Sequence, residues 1–152
     1  MNTDVMFSSK SDQWATPIDF FRELDAEFHF NLDPAADESN HKCDTYFTVK
    51  ENGLLQSWGG YRVFCNPPYG REIGKWVEKA FRTNAEYGNL IVMLLPARTD
   101  TKWFHDFIYN RAEVRFVRGR LKFGESKSGA PFPSMVVIYH ERKGVENGKK
   151  EK

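Results

Sequence analysis

Residues 61–70 read Tyr-Arg-Val-Phe-Cys-Asn-Pro-Pro-Tyr-Gly. Val63 to Cys65 is an apolar run suited to a buried strand, and the prolines at 67 and 68 forbid that strand from continuing. Pro67 also biases Asn66 toward an extended backbone. The stretch predicts a stiff turn at the carboxyl end of a strand, with an amide and a phenol displayed side by side. In open α/β sheets, ligand sites lie at that end of the strands.

The chemistry on offer there is narrow. Asn66 supplies one carbonyl acceptor and two amide donors, none of which titrates. Tyr69 supplies a flat π-face. An exocyclic amine such as N6 of adenine has donors for the Asn66 carbonyl and for a backbone carbonyl of the proline turn. Its base would stack on Tyr69, as bases do when enzymes extrude them from a duplex. Two acceptors gripping the amine point its lone pair at an electrophile. That suits methyl transfer to nitrogen better than hydrolysis or phosphoryl transfer. The plainer reading of the same residues is a Pro-Pro turn ahead of a helix, with Tyr69 capping the core, and the flanking sequence has to decide.

The flanks belong to one globular unit. A chain of 152 residues can bury a real core in a single domain. Its 15% aromatic and 40% hydrophobic content separates it from disordered sequences. With a net charge of +1, attraction to nucleic acid has to come from local patches. Cys43 and Cys65 make no disulfide framework, and no apolar signal region or membrane-length run is present. A soluble cytoplasmic protein is expected. Residues 1–13 read as a flexible polar N-terminus, 14–141 as the domain, and 142–152 as a charged tail.

Within the domain, Thr16-Pro17 predicts a helix start, with Thr16 as N-cap and Pro17 at the first helical position. Phe20, Phe21, Leu24 and Phe28 form its apolar stripe, and the free amides at its start could receive an anion. Residues 28–32 alternate like a strand and stop at Asp33-Pro34-Ala35-Ala36. Residues 37–60 show little regularity. His41 and Cys43 have no second pair at zinc spacing, so no metal is expected. A helix is predicted over 72–86 and a fully buried strand over 90–95. Asp100 and Thr101 cap a further helix, and strands follow at 114–117 and 135–139. Between those strands, Arg118, Arg120 and Lys122 share one face at strand spacing. They make a phosphate track or the solvated face of a hairpin.

Taken in order, six pieces resemble the small phage-type DNA N6-adenine methyltransferases, the Dam family of phages and prophages. They are Trp14-x-Thr16-Pro17, Asn31 to Ala36, Asn66-Pro67-Pro68-Tyr69-Gly70, Leu95 to Phe104, Gly119 to Phe123, and Ala130 to Ser134. The resemblance covers about residues 14–140 and implies an α/β, Rossmann-like, S-adenosylmethionine-dependent methyltransferase. Its sheet would be abbreviated and would end in a C-terminal antiparallel hairpin. Asn66, Pro67, Pro68 and Tyr69 would then be the catalytic turn. Trp14, Thr16, Pro17, Asp33, Pro34 and Ala35 would hold the cofactor, although Asp37-Glu38-Ser39-Asn40 stands where the family pattern places glycines. Tyr46 or Phe47 would wall the cofactor's adenine, and Asp44 or Glu51 would bind its ribose. Arg118, Arg120 and Lys122 would contact DNA. No target-recognition domain is evident, which implies short or weak specificity, or a homodimer. Cytosine N4 or an RNA adenine is the nearest alternative acceptor. A nucleic-acid-binding module that has lost catalysis is the alternative outside enzymes.

Overall fold

The computed structural model describes residues 14–124 and 128–143. The N-terminal segment 1–13 and the tail beyond Lys143 lie outside the described residues. The chain order is α1 (Ile18–Phe28), a 3₁₀ turn (Gly53–Leu55), β1 (Val63–Cys65), α2 (Ile73–Tyr87), β2 (Ile91–Pro96), α3 (Lys102–Phe107), β3 (Glu113–Phe116) and β4 (Ser134–Tyr139). The strands form one sheet in the order β1-β2-β4-β3. β1 runs parallel to β2, and β4 pairs antiparallel with both β2 and β3. This is a mixed α/β fold with a four-stranded sheet. The C-terminal antiparallel pair expected from the sequence is β3–β4.

Why the central strands are continuous apolar runs follows from the layers. β1, β2 and β4 are buried at every position, because side chains of both pleats enter a core. Val63, Cys65, Ile91, Met93, Leu95, Met135 and Val137 face a core built with Ile73, Trp76, Val77 and Ala80 of α2 and Phe104 of α3. The alternate residues Phe64, Val92, Leu94, Val136 and Ile138 face Phe21, Leu24 and Phe28 of α1. Each fully buried aliphatic side chain here contributes about 1.5–3 kcal/mol of transfer free energy. α2 stops at Gly88, whose φ of 70° supplies the left-handed cap, and Gly88 N–H donates to the Asn84 carbonyl.

Two local expectations fail. Residues 28–32 form no strand: Phe28 closes α1, and His29 takes the left-handed C-cap conformation at φ 58°. The apolar alternation is real, but Phe28 and Phe30 use it to pack around Phe64 and Phe21. What survives is a single parallel bridge, Leu32 to Val63, continued by another from Asp33 to Tyr46. Thr16 is also not the N-cap. Pro17 holds that position with no side-chain cap, and Thr16 is committed elsewhere.

Arg142, read as the start of the tail, is tied to the domain. Its guanidinium donates to Asn84 Oδ1 at 2.7 Å and to the Ala85 carbonyl, and its N–H donates to the Gly88 carbonyl. Asn84 and Asn89 are buried beneath it and bridge the loop before β1 to the start of β2. This polar brace fixes the amino-terminal end of the parallel strands. The opposite, carboxyl end holds the cavity.

Candidate active site

Three segments converge at that end: 14–16 ahead of α1, 33–36 after the Leu32 bridge, and 66–68 after β1. With Thr48, Val49, Asn52 and Gly53 they line a cavity of about 480 Å³, within the range of small-ligand sites. The strand run Val63-Phe64-Cys65 aims the turn at it. Pro67 and Pro68 then leave the sheet without needing ladder donors.

Asn66 is the best-defined group in the cavity wall. Its Nδ2 donates to the Trp14 carbonyl and, at 2.9 Å, to Thr16 Oγ1. A backbone carbonyl can only accept, so the amide nitrogen has to face Trp14. Both Nδ2 hydrogens are therefore spent on the segment before α1. Oδ1 points the other way, shielded from solvent and without a hydrogen-bond partner. An unmet acceptor of this kind costs about 1–3 kcal/mol and is relieved by any donor presented to it.

Asp33 is 5% exposed. Burial raises the pKa of its carboxyl, while the N–H groups of Lys42 and Ala35 pull it back. Oδ2 accepts from Lys42 N at 2.9 Å and Oδ1 from Ala35 N at 3.3 Å. The carboxyl group thus shapes the 33–42 loop from within the cavity wall. Gly53 makes the wall possible. A Cβ there would sit 2.1 Å from the Pro34 carbonyl oxygen, so only glycine permits this approach.

Tyr69 is not displayed beside Asn66. It is 6% exposed, and its hydroxyl donates to the Leu94 carbonyl at 2.9 Å. Burial pushes its pKa well up. Phe123 and Phe132 meet its ring edge-on, with centroids 6.3 and 5.5 Å away, and both also touch Trp14. The capping of the core that the sequence offered as the plainer reading is what this conformation shows.

A family profile described as DNA N-6-adenine-methyltransferase (Dam) matches residues 4–149. The chain belongs to the Dam family. It is 36% identical over 112 residues to the DNA N-6-adenine-methyltransferase of Escherichia phage T1, covering 72% of this chain and 46% of that protein. It is 30% identical over 142 residues to the protein of the same name from Haemophilus phage HP1, covering 88% of this chain and 82% of that one. The chain thus spans about half the length of the T1 relative and most of the HP1 relative.

Measured against the Dam-family resemblance, Trp14, Thr16, Asp33, Pro34, Ala35, Asn66, Pro67 and Pro68 come together at the cavity, while Pro17 and Tyr69 stand outside its wall. Tyr46 stacks instead on His41, centroids 3.9 Å apart, and Glu51 accepts from Thr48 N and Oγ1. Neither these two nor Asp44 and Phe47 line the cavity. The sequence reading missed Thr48, Val49, Asn52 and Gly53, which do. The turn dipeptide Asn52-Gly53, with Asn52 at φ 60°, was the available clue.

Arg118, Arg120 and Lys122 are exposed but lie on no strand. Gly119, at φ 75°, breaks the backbone between the first two. The segment is an arm, held where Gly124 N–H donates to the Ala15 carbonyl and Ala130 N–H to the Leu121 carbonyl. Arg120 is turned back to the Ala130 carbonyl at 3.1 Å. Among the described residues, no group of three or more His, Cys, Asp or Glu side chains could hold a metal ion, and no helix is long and apolar enough to cross a membrane.

Proposed function

We propose that this Dam-family protein transfers a methyl group from S-adenosylmethionine to N6 of adenine in DNA, using a Rossmann-like site at the carboxyl ends of β1 and β2. The observation that carries the reading is Asn66 of the cavity wall, whose Oδ1 is a buried acceptor that lacks a donor. The adenine amine supplies one.

The residues present fit the cofactor. The cavity has the size, a buried carboxylate at Asp33 for a cationic group, and a glycine-cleared wall at Pro34 and Gly53. Asp33, Pro34, Ala35 and Trp14 would hold S-adenosylmethionine, which supplies an electrophilic methyl on a sulfonium. Asn66 does the acceptor's share. Its amide is clamped through Nδ2, so Oδ1 receives one amine hydrogen and fixes the lone pair in line. As positive charge grows on N6, the Oδ1 dipole and a carbonyl of the proline turn stabilise it without reorganising. The proton that the methylated N6 gives up passes to solvent, so no side chain has to titrate. Base stacking on Tyr69 requires Phe123 and Phe132 to move off its ring, so the arm that carries them opens when the base enters. Arg118 and Lys122 contact phosphates on that arm.

The test is transfer from labelled S-adenosylmethionine to mixed-sequence duplex DNA, followed by nucleoside mass spectrometry. N6-methyladenine from the wild type, reduced about 10²–10³-fold in Asn66→Ala, is the expected result. N4-methylcytosine, methyl transfer to RNA alone, or full activity in Asn66→Ala would overturn it.

A further inference from the structure

The cations of this domain divide by where their side chains go. Arg62 pairs with Glu141, Arg82 with Glu78, Lys102 with Asp106, and Arg115 with Glu27 and Glu113. Among the described residues, the exposed side chains of Arg71, Arg98, Arg118 and Lys122 make no ion pair, hydrogen bond or ring contact. The acidic neighbours do not satisfy them either: Glu72 is paired with Lys75 at 3.1 Å, and Asp100 forms no ion pair. The side chains of Lys50 and Lys143 also make no ion pair, hydrogen bond or ring contact among the described residues. Lys50 follows Val49 of the cavity wall, and Lys143 lies past β4 at the sheet's other end.

The topology lines up three of the four. β1 and β2 are parallel, and β3 runs in the same direction because both β2 and β3 are antiparallel to β4. Leu95 and Phe116 share the partner Met135, so β2 and β3 end at one level. Arg71 follows the turn that leaves β1, Arg98 stands just beyond Pro96 of β2, and Arg118 just beyond Phe116 of β3. Each codirectional strand therefore delivers a free arginine past its carboxyl end. Three strand spacings of about 4.8 Å make the row about 14 Å long, enough to meet more than one phosphate of a single DNA strand. Asn66 lies at its β1 end.

We infer that Arg71 and Arg98, in line with Arg118, form a phosphate-binding row along which one DNA strand crosses the carboxyl edge of the sheet from β1 to β3. The inference rests on the methylation reading for its partner, and it places the backbone beside the catalytic turn as well as on the arm. An unpaired surface arginine has no desolvated partner to lose and releases condensed counterions when it meets a phosphate.

The test is fluorescence anisotropy with a short labelled DNA duplex of mixed sequence over a salt series. The proteins compared are wild type, Arg71→Gln/Arg98→Gln, and Arg82→Gln as an ion-paired control on α2. The double variant should weaken binding and flatten the log–log salt slope by about 1.8, or 0.9 per phosphate contact. Arg82→Gln should match wild type, and S-adenosylmethionine affinity by calorimetry should be the same in all three. A wild-type slope in the double variant overturns the row, as does an equal loss in Arg82→Gln or tighter binding of the wild type to RNA of the same sequence. Wild type that binds DNA with the expected salt dependence but methylates no adenine refutes the enzymatic reading and leaves the row standing.

Discussion

Replacing Thr16 by valine tests the tether that makes Asn66 a directed acceptor. The side chains have nearly the same shape, so the change removes one acceptor and little volume. In the native site both hydrogens of Asn66 Nδ2 are bonded, to the Trp14 carbonyl and to Thr16 Oγ1 at 2.9 Å. Valine leaves one of them unpaired, at a cost of about 1–3 kcal/mol, and the amide is then held at a single point. It cannot flip to recover, because Oδ1 would then face the Trp14 carbonyl. If about 1.4 kcal/mol of that loss reappears as imprecise aim in the transition state, turnover falls about tenfold. Steady-state methylation with saturating DNA should show that fall in kcat, with the Kd for S-adenosylmethionine unchanged and Thr16→Ser restoring turnover. The reasoning is refuted if Thr16→Val turns over like wild type, or if its whole defect is a raised cofactor Kd. The second outcome would make Thr16 a cofactor ligand, the role the sequence resemblance implied.

Gly53→Ala should push the Pro34 carbonyl out of the cavity wall, lowering both the melting temperature and cofactor affinity; unchanged calorimetric binding would mean that the wall tolerates the shift. Tyr69→Phe removes the hydroxyl that donates to Leu94 and should cost about 1 kcal/mol of unfolding free energy in urea while preserving base stacking, so a large loss of kcat would contradict a purely structural hydroxyl. Asp33 has its carboxyl raised by burial above 3.8, so it favours the folded state most below that pH and loses this contribution as pH rises through the folded value. Urea stability of wild type relative to Asp33→Asn should therefore decline across that interval, and a rising difference would reverse the assignment. Glu27 is shifted the opposite way by its hydrogen bond to Arg115, so the α1–β3 link should be present at neutral pH and lost as pH falls below 4.5. The difference in melting temperature between wild type and Arg115→Ala should shrink over that range.

Much of the fold was legible because its central strands are buried on both faces. Continuous apolar runs at 63–65, 91–96 and 134–139 leave no other placement, and Pro67 and Pro96 mark their ends. The helix over 73–87 was equally plain from its apolar spacing. Residues 28–32 misled because an alternating aromatic pattern serves a helix end packed on Phe64 as well as it serves a strand. Thr16 misled because a threonine before a proline is a good cap in isolation, and a partner 50 residues away won it. The cavity wall at 48–53 was illegible for a related reason. Gly53 is there to meet the backbone at Pro34, a contact that no local pattern records. Asn66 was read as an acceptor from its chemistry alone, but the atoms that hold its amide lie in a segment whose approach depends on the whole sheet.

The placement of β4 has a consequence for how the protein is made. The strand that separates β2 from β3 is the last of the described strands, so a nascent polypeptide that has reached residue 133 has its Asn66 turn but lacks the middle of its sheet. Leu94, Leu95 and Pro96, whose register partners are Val136, Met135 and Ser134, stand unpaired until then. Completion of the sheet thereby waits for residues 134–139, when the long-range β2–β4 pairing closes. A ribosome-bound fragment stopping short of Ser134 should remain protease-sensitive throughout, with no stable half-domain.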